Sequence, residues 1–504
     1  MILSRYTVKN IQSDNLKKTE EVIFDLPEKV LQFGTGVLLR GLPDYFIDKA
    51  NRQGIFNGRI VIVKSTSGGD AAAFDKQDSL YTLCVRGLEN GKVVEENIIN
   101  SSISRVLSAA EEWDAILECA HNPHMQVVVS NTTEVGIELV NDDIRKHPPV
   151  SFPGKLLAFL YERYKAFDGS QQSGMVIVPT ELISDNGKKL EAIVMEQAHL
   201  NGLDASFIEW LENSNTFCNT LVDRIVPGKP SPEAKAAVEK ELGYADDLLI
   251  MSEVYRLWAI EGDEHVRSVL SFAQADEGVA IVPNITKFKE LKLRLLNGTH
   301  SLSCALAYLA GFNTVKAAMA DATIADFVTK LMKTDIAPAI PYKVDAAEAE
   351  KFADAVLDRF ANPNIEHQWL SIAGNYTQKL EMRVVKLFEN YIKLFNTVPD
   401  YMAFGFAAYI QFMKAVKKDG NKYFGIANGV EYPITDDKVA YYFEKKNLSN
   451  GDLVEAVLGN TSFWGQDLNT LPGLCDAVSE YLTEISKKGA LVALKNIEKS
   501  KILA

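Results

Sequence analysis

The sequence predicts an α/β fold: a doubly wound, largely parallel sheet within residues 1–285, followed by a mainly α-helical domain over 286–504. Three observations predict it. Short β-rich apolar runs at 30–33, 60–63, 127–129 and 175–178 are separated by helix-length segments, the pattern of strands buried on both faces of a parallel sheet. A Gly34-Thr35-Gly36 turn follows the first run directly and precedes a helical pattern. From about residue 286, amphipathic stretches at 301–310, 346–360 and 378–395 dominate, and β-branched runs become scarce.

The 504 residues suffice for two large or about three average domains, and they bury an extensive core without staples. Net charge is −14, from 67 acidic and 53 basic residues, a field that repels polyanions and argues against nucleic acid or an anionic membrane as partner. The cysteines, Cys84, Cys119, Cys218, Cys304 and Cys475, are odd in number, widely spaced and without a C-x-x-C pair, which predicts reduced thiols. The first 22 residues hold no continuous apolar stretch with a small-residue cleavage site, and no run reaches about 18 apolar residues. A cytoplasmic location is expected.

The first predicted strand, 30–33, ends in the glycine turn. Glycine there permits a tight turn and close approach of a pyrophosphate, which N–H groups at a helix start then meet. Phe33, Gly34, Gly36 and Val37 are therefore candidate dinucleotide contacts. The third glycine position of G-x-G-x-x-G holds Leu39, and the second strand ends in Lys64-Ser65 where an acidic residue would grip the adenosine ribose. Lys64 either meets a 2′-phosphate, favouring NADP, or simply faces water. Residues 80–86 and 92–94 flank Asn90-Gly91 and read as a β-hairpin inserted at the sheet's edge. After 127–129 comes Ser130-Asn131-Thr132-Thr133-Glu134, small polar residues at the carboxyl end of a central strand, where ligands of open α/β sheets sit. That cluster, with Asn131 and Thr132 as candidate cofactor contacts, reads equally as a helix N-cap. No low-complexity linker separates the halves, so they are expected to pack as one body with a ligand cleft between them.

The segment 288–300 is the most informative in the chain. Wound as an α-helix, it sets Lys292, Asn297 and His300 at about 0°, 140° and 80°, on one broad side. Hydride transfer between an alcohol and a nicotinamide needs a group that exchanges the hydroxyl proton and donors that stabilise charge on that oxygen. Lysine and asparagine supply the two roles. A rival reading is a hairpin turning at Asn297-Gly298, because Leu291, Leu293 and Leu295 alternate with period two. Against it, Leu302, Ala305, Leu306 and Leu309 keep helical spacing.

Lys292-x4-Asn297-Gly298-x-His300, the pair Asn186-Gly187 in 181–187, and the stretch 217–227 with Val222-Asp223-Arg224 together resemble the mannitol dehydrogenase family of polyol-specific long-chain dehydrogenases. Within it, Gln32-Phe33-Gly34-x-Gly36 and the segments 130–134, 215–218, 308–311 and 362–368 resemble the branch acting on hexuronates. The likeness runs from about residue 28 to 400, and Asn215 departs from the family's usual aliphatic residue, methionine or tyrosine.

The resemblance implies a Rossmann-type N-terminal domain, a mainly helical C-terminal domain, and NAD-dependent, reversible reduction of D-tagaturonate to D-altronate without a catalytic metal. Lys292 would be the general acid/base, Asn186 and Asn297 an oxyanion hole, and His300 the group that orients a neighbouring hydroxyl. Asp223 matches a position that contacts substrate hydroxyls, although Val-Asp-Arg also reads as a structural ion pair. Lys379 matches a basic substrate contact suited to a carboxylate, and also reads as a solvated helix lysine. His367 is expected to support the site through packing rather than to bind metal, having no ligand partner at i+3 or i+4. Fructuronate or mannitol as substrate, and a non-catalytic dinucleotide-binding sensor, are the alternative readings.

Overall fold

The computed structural model describes residues 1–65, 71–132 and 135–503. The chain divides into two compact units, one of residues 1–87 and 93–285, the other of 88–92 and 286–504.

In the first unit, β1 (Glu28–Phe33), β2 (Arg59–Lys64), β3 (Ile103–Ser108), β4 (Val127–Ser130), β5 (Val176–Pro179) and β6 (Thr216–Phe217) form one sheet. Their spatial order is β3-β2-β1-β4-β5-β6 and every neighbouring pair is parallel. In this doubly wound order the chain reverses its direction of travel between β1 and β4, leaving a crevice outside their carboxyl ends. Side-chain alternation explains the β-branched runs. Val30, Ile60, Ile62, Val127, Val129, Val176 and Val178 enter one core with Leu39, Phe46 and Trp258. Leu31, Phe33, Val61, Val63, Val128 and Ile177 enter the other, against Leu156, Phe159, Leu190 and Trp210. Both faces are dry, so each strand reads as a continuous apolar run.

The hairpin at Asn90-Gly91 forms, from strands Tyr81–Glu89 and Lys92–Asn100, but not as an insertion at the edge of this sheet. It belongs to a separate four-stranded sheet completed by Leu16–Lys17 and Ile250–Glu253. The reason is that β3, immediately after the hairpin, takes the edge beside β2.

The second unit is mainly helical, with α3 (Thr299–Leu309), α4 (Ala346–Phe360), α5 (Tyr376–Phe395) and α6 (Asp400–Met413) among its longer elements. A Cβ on Gly405 of α6 would lie 2.5 Å from the Leu302 carbonyl of α3, so glycine is what lets these two backbones touch. A three-stranded antiparallel sheet, Lys417–Asp419, Lys422–Ala427 and Val430–Ile434, interrupts the helices and was not anticipated. Among the described residues no helix is long and apolar enough to cross a membrane.

Candidate functional site

In the first unit the glycine turn stands at the carboxyl end of β1. Gly34 has φ +127°, and a Cβ there would sit 3.0 Å from Leu39 Cδ1 and 3.2 Å from the Asn131 carbonyl. Its N–H donates to Val63 O, while Asn131 N donates to Phe33 O, so the turn is tied to both neighbouring strands. Among the described residues Gly36 faces open space, with no non-neighbouring atom within 4 Å of a Cβ built on it, and it precedes α1 (Val37–Gly41) without a side-chain cap. Uncapped N–H groups beside an open glycine are what close approach by a phosphate requires. The Phe33 side chain is in the core, 5.1 Å from the Phe152 ring, so only its backbone is available to a ligand. Val37 is half-buried, and Lys64 ends β2 with 9% of its surface exposed.

Behind the turn, Gln32 and Asp44 are both fully buried, and Gln32 Nε2 reaches Gly34 O at 3.3 Å and Asp44 Oδ2 at 3.5 Å. Burial pushes the Asp44 carboxyl up to about 8.

The ends of β4 and β5 are stitched together. Thr132 donates from N and Oγ1 to Glu181 Oε1 at 2.9 and 3.0 Å, and Ser130 Oγ donates to Oε2 at 3.1 Å. Asn131 Nδ2 donates to Thr180 O and Oγ1. Glu181 is buried, and desolvation raises its carboxyl above the usual range despite those donors. Thr133 and Glu134, the remainder of the predicted cluster, lie outside the described residues.

Asn186 opens α2 (Asn186–Leu200) and is buried. Its Nδ2 lies 3.1 Å from each of Pro179 O, Glu181 O and Thr220 Oγ1, and its Oδ1 accepts from Gly187 N and Thr220 N. The side chain is thus a strut between the β5 loop and the strand Thr220–Asp223. Asp223 is buried at that strand's end, opposite Leu257. Arg224 directs its guanidinium to Glu253 O and Gly41 O, and stacks over Tyr45 at 4.6 Å.

In the second unit, the segment predicted as α-helix or hairpin is helical throughout and does not turn at Asn297-Gly298, but only its ends, 288–291 and 299–300, are α-helical. Residues Lys292–Gly298 form a π-helix that runs straight into α3. An i→i+5 repeat turns the chain by roughly 80° per residue instead of about 100°, which moves Asn297 from about 140° to about 40° from Lys292. His300, two α-helical residues further on, then falls about 40° to the other side. The wider winding gathers the trio more tightly than an α-helix would.

The His300 ring lies flat on Phe360, the last residue of α4, with His367 and Trp369 set edge-on at 5.2 and 6.2 Å. Its Nε2 is buried and, among the described residues, has no hydrogen-bond partner. Burial and then the nearby charges of His367, Arg359, Arg383 and Lys379 hold the imidazole well below its usual pKa, so it is neutral at neutral pH. His367 is lowered as well, by burial, Lys379 and Arg359. Lys379 and Arg383 lie one turn apart on α5. Lys379 Nζ donates to Ile372 O at 2.8 Å, and Arg383 Nη1 donates to Ser301 Oγ at 3.0 Å. Lys379 is lowered by burial and by Arg383, and Arg383 by burial alone.

Residues 28–273 match the mannitol dehydrogenase Rossmann domain and residues 284–486 the mannitol dehydrogenase C-terminal domain. The chain is 40% identical over 485 residues to an altronate oxidoreductase of Halalkalibacterium halodurans, covering 94% of this chain and 93% of that one. The chain belongs to the mannitol dehydrogenase family. Altronate oxidoreductase of Bacillus subtilis is 36% identical, covering 95% of this chain and 98% of its own. Among solved structures, substrate-free D-sorbitol dehydrogenase matches with a TM-score of 0.78 at 21% identity, covering 98% of this chain and 100% of that one. Mannitol 2-dehydrogenase of Pseudomonas fluorescens, in a ternary complex with NAD and D-mannitol, matches with a TM-score of 0.65 at 20% identity, covering 99% and 100%. The expected fold, a Rossmann-type sheet domain followed by a mainly helical domain, is therefore that of the family.

In this member of the mannitol dehydrogenase family, sequence reasoning missed Glu181, which ties the β4 and β5 ends together in the first unit, and Phe360 and Arg294, which pack and bond around residues 292–300 in the second. Only Glu181 carried a signal, as an acidic residue two positions after a strand buried on both faces.

Proposed function

We propose that the protein is an altronate oxidoreductase, interconverting D-tagaturonate and D-altronate with NAD. The observation that carries this reading is the field around His300, where the charges bearing most strongly on the imidazole are all basic. A neutral polyol gains nothing from such a field, whereas a sugar acid brings a carboxylate that Lys379 and Arg383 can meet with charge-assisted hydrogen bonds. Identity of 36–40% to altronate oxidoreductases over more than nine-tenths of the chain supports the same substrate class.

The first unit suits a dinucleotide: Gly34 and Gly36 leave room for backbone approach, and the uncapped start of α1 offers N–H groups to a pyrophosphate. Phe33, Val37, Asn131 and Thr132 line the same edge of the sheet, and Lys64 ends β2 in place of a ribose-gripping acid. A nicotinamide dinucleotide held by these residues would supply the hydride in ketone reduction and take it up in the reverse direction.

The chain's own residues handle the proton and the charge. Lys292 Nζ gives a proton to the substrate oxygen during ketone reduction and removes it in the reverse direction. Asn297 donates to that oxygen as charge builds on it. Asn186 joins it by exchanging one of its three internal acceptors for the substrate. The neutral His300 uses its unpartnered Nε2 to accept from a neighbouring hydroxyl and so orients the substrate. Asp223 accepts from further hydroxyls.

The test offers D-tagaturonate, D-fructuronate and D-fructose separately with NADH, and in parallel with NADPH. NADH consumption with tagaturonate is expected, and Lys292→Ala should lower it by about 10²–10⁴-fold. Reduction of fructose alone would overturn the sugar-acid reading. No reduction despite NADH binding would leave a dinucleotide-binding sensor.

A further inference from the structure

A π-helix of seven residues is rare and poorly bonded, so something outside it must hold it. The neighbours of Lys292–Gly298 show a reciprocal clamp with α5. Arg294, buried inside the π-helix, donates from Nη1 to the carbonyls of Met382 and Arg383, both at 2.8 Å. Its Nε is steadied by Glu290 Oε2 at 3.0 Å. In return, Arg383 Nη1 crosses back to Ser301 Oγ at 3.0 Å and to the carbonyl of Asn297 at 3.4 Å. Just beyond, the Tyr376 hydroxyl accepts from Ala305 N and donates to Ser301 O, interposing itself in the i→i+4 bond that α3 would otherwise close.

We propose that Arg294 is a positioning residue: by gripping α5 it holds the π-winding that brings Lys292 and Asn297 to one side. Without its guanidinium, residues 292–298 rewind as α-helix, and Asn297 turns away from Lys292 by about 100°. Displacements of this kind remove a donor from the reacting oxygen and cost on the order of 10²-fold in turnover. The inference rests on the reading of Lys292 and Asn297 given above.

The deciding variant is Arg294→Met, which keeps the apolar stem and removes the fork. Crystal structures of wild type and variant report the winding directly. Turnover with D-tagaturonate and NADH binding by fluorescence report its consequence. The expected result is an i→i+4 pattern over 292–298, kcat lowered by about 10²-fold and NADH affinity within about twofold of wild type. A merely structural role would lower the melting temperature and leave kcat per folded molecule intact. A π-helix that persists in the variant, or kcat within threefold of wild type, overturns the proposal. Should Arg294→Met fail to fold, Ser301→Ala decides, because it removes only the side-chain acceptor of Arg383; a several-fold loss of kcat supports the clamp and an unchanged kcat overturns it. If wild type itself ignores tagaturonate while the variant rewinds, the substrate reading falls and the clamp stands.

Discussion

The imidazole of His300 lies on the ring of Phe360 with centroids 4.1 Å apart and planes 10° from parallel. Stacking of this kind fixes the ring and shuts water away from it, so the charged form is disfavoured before any neighbouring cation adds to the effect. Below its ordinary pKa the unfolded chain binds a proton that the folded chain refuses. Stability therefore rises with pH through this region and is lost on acidification, by at most about 1.4 kcal/mol per pH unit for one histidine. His300→Gln should flatten the decline of the melting temperature between about pH 7 and pH 5 relative to wild type. Parallel curves for the two proteins would mean that His300 is charged in the fold.

Asp44 titrates in the opposite sense. Its carboxyl is fully buried behind the glycine turn and rises to about 8, through burial first and the Asp48 charge as a smaller contribution, with Gln32 and Arg40 opposing. Between about pH 4 and pH 8 the folded chain holds a proton that the unfolded chain has released, so the stability contributed below pH 4 is progressively lost as pH rises through that window. Asp44→Asn is nearly isosteric and cannot ionise. Its melting temperature should overtake that of wild type as pH climbs from about 5 to 8, and the gap should level off beyond. A gap that stays constant with pH would show Asp44 ionised in the fold.

The strands were legible because each face of the parallel sheet is dry, and runs such as 60–63 and 127–129 have nowhere polar to point. Asparagine-glycine pairs were less legible. Asn90-Gly91 and Asn428-Gly429 both take positive φ at the two positions, 53° and 70°, 52° and 80°, and turn hairpins. At Asn297-Gly298 the same dipeptide stays helical, with Gly298 at φ −63°. Tertiary packing decides between them: Leu295 and Leu296 are buried, Arg294 bonds across to α5, and Arg383 of α5 bonds back to Ser301. The π-winding itself left no mark in the sequence, because its cause is a clamp from residues some 85 positions away. The hairpin at 428–429 was readable from its own turn and was overshadowed by the helices on either side.

The two glycines of the cofactor turn should respond differently to alanine. Gly34 has both a positive φ and close neighbours, Leu39 Cδ1 and Asn131 O, so Gly34→Ala should destabilise the fold by about 1–3 kcal/mol. Gly36→Ala meets open space and should melt with wild type, yet bind NADH at least tenfold more weakly, because its methyl occupies the volume the phosphate needs. Calorimetry of both variants and NADH titration of the second check this. Wild-type NADH affinity in Gly36→Ala would place the pyrophosphate elsewhere.

Lys379 separates a sugar acid from a neutral sugar more cleanly than Arg383 does, because Arg383 also holds Ser301 and its loss would disturb α3. Among the described residues the Lys379 ammonium donates to a neutral acceptor, Ile372 O, and its positive neighbour Arg383 disfavours its charge, so a carboxylate would be a welcome partner. Lys379→Met should lower kcat/KM for D-tagaturonate by about 10- to 100-fold, the range of one charge-assisted hydrogen bond. Salt provides an independent check on the same attraction. Raising ionic strength should increase KM for the sugar acid in wild type and do so less in the variant, since screening acts only where a charge pair remains. Equal salt dependence in the two proteins would remove Lys379 from carboxylate recognition and leave that task to Arg383 or Arg359.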